Sequence, residues 1–101
     1  MSKTYKVVYN ACFGGFGLST KAIARLTELG VVHESEYDYS YHMARHDPLL
    51  VQVVEELGDE ASAKYANLRI AEITSPLYQI DEYDGSESVM TPEDMCWVKI
   101  E

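Results

Sequence analysis

Asn10-Ala-Cys-Phe-Gly-Gly-Phe-Gly-Leu-Ser19 joins two unlike runs of sequence. The strand-like run TYKVVYN at 4–10 enters it, and a helix-like run leaves it. An ordinary turn needs one glycine to reach positive φ. Three glycines beside two large rings and a cysteine call for more: a backbone that another group must approach closely. In the entering run, Tyr5, Val7 and Tyr9 alternate with Lys6, Val8 and Asn10, the period of a half-buried strand. In the leaving run, Ser19 is placed to cap a helix of about ten residues. Leu18 can staple against Ile23. Ile23, Leu26 and Leu29 form the apolar stripe, and Gly30 is the expected stop.

Further along, ESEYDYSYHMA alternates Tyr37, Tyr39 and Tyr41 against Asp38, Ser40 and His42, as a second strand or an extended arm would. The clearest helix follows. Asp47 caps it, Pro48 occupies the first turn where a missing N–H costs nothing, and Gly58 closes it. Leu50, Val53, Val54 and Leu57 face the core, while Glu55 and Glu56 face water. GDEASAKYAN reads as a turn with a short helical piece. LRIAEI and LYQIDEYDG read as two strands joined around Thr74, Ser75 and Pro76 in an antiparallel hairpin. DGSES is then a turn, Thr91 and Pro92 start a helical turn, and CWVKI is a short last strand. The expected architecture is α+β over one domain, residues 1–101. A mostly antiparallel sheet of three to five strands carries two main helices.

The chain has 101 residues, with 8 Lys+Arg against 17 Asp+Glu and a net charge of −9. That balance argues against general nucleic-acid binding, which needs cations to neutralise phosphates. No apolar run is long enough for a membrane span, and the start has no apolar signal core. Two cysteines, Cys12 and Cys96, make no disulfide framework, so a reducing cytoplasm is the simplest setting. The charge is uneven. Residues 1–27 hold Lys3, Lys6, Lys21 and Arg25 and no acid. The glycine turn therefore lies in the electropositive part of the chain, where an anion would be steered.

Strand, glycine turn and helix N-terminus together make a possible anion site. Its backbone would be Phe13, Gly14, Gly15, Phe16, Gly17, Leu18 and Ser19, with Phe13 or Phe16 stacking on a base. The pattern is neither the dinucleotide fingerprint nor a phosphate loop. A tight turn with core phenylalanines is the plainer reading of the same residues. Arg45 and Arg69 offer planar forks for phosphate or carboxylate, and equally for one of the many acids. Cys12 near a helix N-terminus is a possible nucleophile, with His33, His42 and His46 as possible bases. It is also what a small buried apolar residue looks like. His42 and His46 have helical metal-ligand spacing but precede the helix, and no third ligand lies at zinc-site spacing. No metal or cofactor is expected. Glu72, Asp81, Glu82, Asp84 and Glu87 cluster without the calcium-loop spacing, as a solvated acidic face would. The three alternating tyrosines suit a partner interface or a sheet surface.

Four stretches taken together resemble a known family. They are CFGGFGLS at 12–19, RHDPLLVQVVEELG at 45–58, LRIAEI at 68–73 and YQIDEYDG at 78–85. The family consists of small, mostly uncharacterised proteins of tailed phages and large DNA viruses, and the match spans most of the chain. The tail departs from the family pattern. SVMTPEDMCWVKIE keeps an aromatic, Trp97, but has no arginine, and Lys99 is a poor substitute for a planar fork. The layout is also similar, more distantly, to phage sponges of the Thoeris anti-defence type. These resemblances imply a counter-defence protein in the cytoplasm of an infected bacterium. It would act as a homodimer or higher homo-oligomer and sequester a small anionic nucleotide-like ligand, of cyclic nucleotide or cyclic ADP-ribose type, without turnover. Two other functions suit the residues. One is an acidic protein that inhibits a host enzyme by direct contact. The other is a small enzyme using Cys12.

Overall fold

The computed structural model describes residues 3–32, 43–92 and 100. The tyrosine segment with Tyr37, Tyr39 and Tyr41 lies outside the described residues, as do His33, His42, Cys96, Trp97 and Lys99, and so most of the CWVKI segment.

The fold is α+β, with two main helices and four strands among the described residues. β1 spans Tyr5–Asn10, α1 Thr20–Glu28, α2 Pro48–Leu57, β2 Leu68–Ile73, β3 Gln79–Tyr83 and β4 Ser86–Met90. A single turn of 3-10 helix, Gly58–Ala61, follows α2. The strands form two antiparallel pairs, β1 with β2 and β3 with β4, in place of one sheet of three to five strands.

The helix ends follow their punctuation. Ser19 Oγ accepts the Ala22 N–H at 3.0 Å, and Asp47 Oδ1 accepts the Leu49 N–H at 2.9 Å. Gly30, at φ 100°, lets α1 close with Gly30 N–H to Thr27 C=O and Val31 N–H to Leu26 C=O. Buried Leu26 and Ala22 from α1 meet Leu50, Val51, Val53 and Val54 from α2, with Val8, Phe16, Leu18, Ala61 and Leu68 completing the core.

The expected hairpin between LRIAEI and LYQIDEYDG is not formed. β2 runs instead beside β1, from Tyr5↔Ile73 to Asn10↔Leu68, and β3 turns back into β4. The reason lies in the turn. Asp84 and Gly85 have φ of 51° and 90°, the pair of positive values that a two-residue hairpin requires. The Thr74-Ser75-Pro76 connection has no glycine to supply them. DGSES is therefore half turn and half strand, since β4 begins at Ser86. β1 is also more enclosed than its alternation suggests, because Val7 and Val8, on opposite faces, are both fully buried.

Three of the four N-terminal cations lie against α2 and the turn after it. Lys6 pairs with Glu55 at 3.0 Å, Arg25 with Glu56 at 2.9 Å and Lys21 with Glu60 at 2.9 Å. The Arg25 guanidinium, helped by the Gln52 amide, holds the Glu56 carboxyl below the ordinary glutamate range. A carboxylate lowered in the fold contributes stability above its unfolded value and loses it as pH falls through its folded value. Arg25→Met will therefore flatten the acid limb of the stability–pH curve, measured by urea unfolding from neutral to acidic pH.

A Cβ at Gly14 would overlap the Tyr65 carbonyl, whereas one at Gly17 would meet only Ala63 Cβ at 3.0 Å. Gly14→Ala will cost about 3 kcal/mol or more in urea denaturation, because backbone must move. Gly17→Ala will cost clearly less.

Candidate functional site

Two of the sequence-derived site residues, Arg45 and Phe16, meet in a polar knot at the end of β1. Arg45, just before α2, forms a bidentate pair with Glu87 of β4. Nη1 donates to Oε1 at 2.5 Å and Nη2 to Oε2 at 3.0 Å. The Phe16 ring covers the other side of the guanidinium, its centroid 3.6 Å from Arg45 Cζ. Phe16 is 7% exposed, the Arg45 side chain 19% and that of Glu87 5%. A planar, weakly hydrated guanidinium suits both the fork contact and the stacking.

Asn10 completes the knot and is fully buried. Its backbone N–H donates to Glu87 Oε1 at 2.9 Å. Its Nδ2 donates to the carbonyls of Cys12 at 2.7 Å and Gly85 at 2.8 Å. Its Oδ1 accepts the Asn67 N–H at 2.8 Å. One side chain thus ties β1, the glycine turn, the β3–β4 turn and the entry to β2. Among the described residues, no buried side-chain N or O lacks a partner. The residue pattern singled out Arg45 and Phe16 but missed Asn10 as a hub. The available signal was an asparagine ending a strand directly before a glycine-rich turn.

The glycine turn is approached closely, by the protein's own backbone. Tyr65 lies against Gly14, and the Gly85 turn lies against Phe13 and Gly15. The helix N-terminus is met in the same way. Ser19 donates from its N–H to Ala61 C=O at 2.9 Å and from Oγ to Glu60 C=O at 2.6 Å. Leu18 bridges to Ser62, and Gly17 C=O accepts the Ala63 N–H at 3.0 Å. Phe13 differs from Phe16, as its ring is 68% exposed. Arg69 pairs with Asp59 at 3.1 Å, both side chains being exposed.

Cys12 is half-buried. Its Sγ–H donates to the Tyr65 carbonyl at 2.8 Å, with Asn10 Oδ1 at 3.6 Å. His46 is engaged elsewhere, with Nδ1 2.7 Å from the Tyr78 hydroxyl and the two rings edge to face. Burial raises the Tyr78 phenol above its ordinary value, and Arg45 offsets part of that rise. Among the described residues, no three His, Cys, Asp or Glu side chains converge as metal ligands. No described helix is long and apolar enough to cross a membrane.

The five clustered acids separate in space. Glu87 is buried against Arg45, and Glu72 stands opposite Lys6 in the β1–β2 register. Asp81, Glu82 and Asp84 remain exposed on the hairpin with Tyr83, which is 80% exposed.

Compared with known protein families, curated proteins and solved structures, the chain matches none of them.

Deleting one partner of a buried, hydrogen-bonded ion pair strands the other. Glu87→Ala will therefore destabilise the protein by about 3–5 kcal/mol in urea unfolding. Arg45→Met with Glu87→Met will cost less than Glu87→Ala alone. A loss below about 1 kcal/mol for Glu87→Ala would place the pair with ordinary surface bridges.

Proposed function

We propose that the protein acts by binding, as an acidic interaction protein whose working surface is the β3–β4 hairpin. The observation that carries this reading is the distribution of uncompensated charge. Lys6, Lys21, Arg25, Arg45 and Arg69 are each paired with an acid of the same chain. Among the described residues, Asp81, Glu82 and Asp84 form no ion pair, and they flank the exposed Tyr83 along the hairpin. An exposed aromatic on a hairpin that carries one sign of charge suits a partner protein with a basic face, which it would attract and orient. The family resemblance supplies the setting: a viral counter-defence factor that inhibits a host enzyme in the bacterial cytoplasm. Among the described residues the Cys12 thiol meets a carbonyl and an amide oxygen and no imidazole, which favours binding over catalysis.

A second reading is favoured by the exposed Phe13 ring at the rim of the glycine turn. It is capture of a nucleotide-like anion by stacking, with a second copy of the chain supplying the other wall. Arg45 would then serve the site by holding Phe16 and the turn in place.

Lysine substitution of Asp81, Glu82 and Asp84 together separates the two. The fold will survive, because these side chains are exposed. Capture of a host protein from infected-cell lysate will be lost, and affinity for that purified protein will fall at least about tenfold, more at low salt. Unchanged affinity would overturn the hairpin reading. Phe13→Ala addresses capture: a small molecule released by heat from the parent protein, identified by mass spectrometry, and absent from this variant would favour the second reading.

A further inference from the structure

A cleft of about 280 Å³ opens between the start of β1, the segment entering α2 and the β2–β3 connection. Its lining includes Tyr5, Lys6, His46, Ile73, Ser75 and Tyr78. We propose that this cleft binds a small planar aromatic anion, a role separate from that of the hairpin. Three observations converge on it.

The first is size. Ligand pockets commonly begin near 300 Å³, and a cavity of about 150 Å³ already accepts benzene. The cleft therefore suits one or two fused rings with a single substituent. The second is surface chemistry. Tyr5 and Tyr78 supply aromatic area, and Ile73 supplies an aliphatic wall. The contact between His46 Nδ1 and the Tyr78 hydroxyl at 2.7 Å fixes the imidazole, so its other nitrogen is held in a set direction as a polar contact. The third is charge. Among the described residues no acid lines the cleft, while Lys6 and His46 both do. Lys3 adds to them, 5.3 Å from the centroid of the Tyr5 ring. The nearest opposing charges are Glu55, which pairs with Lys6, and Glu72, which acts on Lys6 from the adjacent strand. Both lie outside the lining. An anionic substituent meets the His46 imidazole there and competes with Glu55 for the Lys6 ammonium, whereas a cation finds no described acid in the lining.

Naphthoate is the test probe, with naphthalenemethanol as its neutral counterpart and trimethylphenylammonium as a cation. Titrations of the full chain are followed by NMR amide shifts. Naphthoate will give saturable shifts centred on Tyr5, Val7, His46 and Ile73. Naphthalenemethanol will bind about tenfold more weakly, the loss of one charge-assisted contact. Ile73→Trp fills the cleft and will abolish the shifts while the dispersed spectrum persists. Tyr78→Phe, which keeps the ring and frees His46, will weaken naphthoate binding and serves as the second variant should Ile73→Trp unfold. The absence of saturable shifts, equal binding of the neutral probe, preference for the cation, or naphthoate binding that Tyr78→Phe leaves unchanged would each overturn the proposal.

Discussion

The Arg45–Glu87 ion pair holds the two halves of the molecule in one arrangement. β1 and β2 form one ladder, β3 and β4 another, and the described strands carry no backbone ladder between the pairs. Side chains make the connection instead. Glu87 reaches from β4 to the Asn10 N–H of β1 and to both terminal nitrogens of Arg45, and the Val8 N–H donates to the Arg45 carbonyl. An apolar contact at this position would tolerate sliding. A bidentate pair fixed at three points does not, because displacement by one residue would leave a carboxylate or a guanidinium buried without its partner. The pair therefore gives the fold register more than net stability. Its desolvation cost is limited by Phe16, which covers the guanidinium face with a ring that attracts it.

The charge asymmetry of the chain is largely spent inside the protein. Three of the four cations in the first 27 residues, Lys6, Lys21 and Arg25, meet acids on α2 and the turn after it, so most of the electropositive segment is matched where it lies. Each exposed pair is worth little by itself. The Arg25–Glu56 pair joins α1 to α2, and among the described residues Asp81, Glu82 and Asp84 on the hairpin are left without an ion pair. An acidic protein that pairs five of its cations with its own acids presents those cations less to other molecules than its composition alone would suggest.

Much of this was legible in the sequence, and the limits have a physical pattern. Ser19, Gly30, Asp47, Pro48 and Gly58 marked both helices, because caps and stops act through neighbouring backbone and leave local signatures. The strands LRIAEI and YKVVYN were legible for the same reason. Pairing was not. Tyr5 meets Ile73 across most of the chain, and no local pattern reports a partner so distant. The exception was available in Asp84-Gly85, whose positive φ values are a local requirement and select β4 as the partner of β3. At the site, the residue types of Arg45 and Phe16 drew attention, yet their role depended on Glu87, 42 positions further along. Glu87 sat among serines and other acids that gave it a solvated look.

The glycine turn shows how one sequence signal supports two chemistries. Glycines before a helix N-terminus allow close approach and leave N–H groups to be satisfied, whether by a bound phosphate or by carbonyls of the same chain. Here Tyr65 and Gly85 bring backbone against the turn, and Glu60 and Ala61 supply carbonyls to Ser19. A small domain has strong reason to use the turn in this way. It has little apolar core to bury, so a close backbone-to-backbone seam is an economical way to close its end. Once the turn carries that seam, its glycines are constrained by packing, and recognition falls to side chains that packing leaves exposed. Phe13 at the rim of the turn and Tyr83 on the hairpin are such side chains, and each stands beside a residue that the seam holds still.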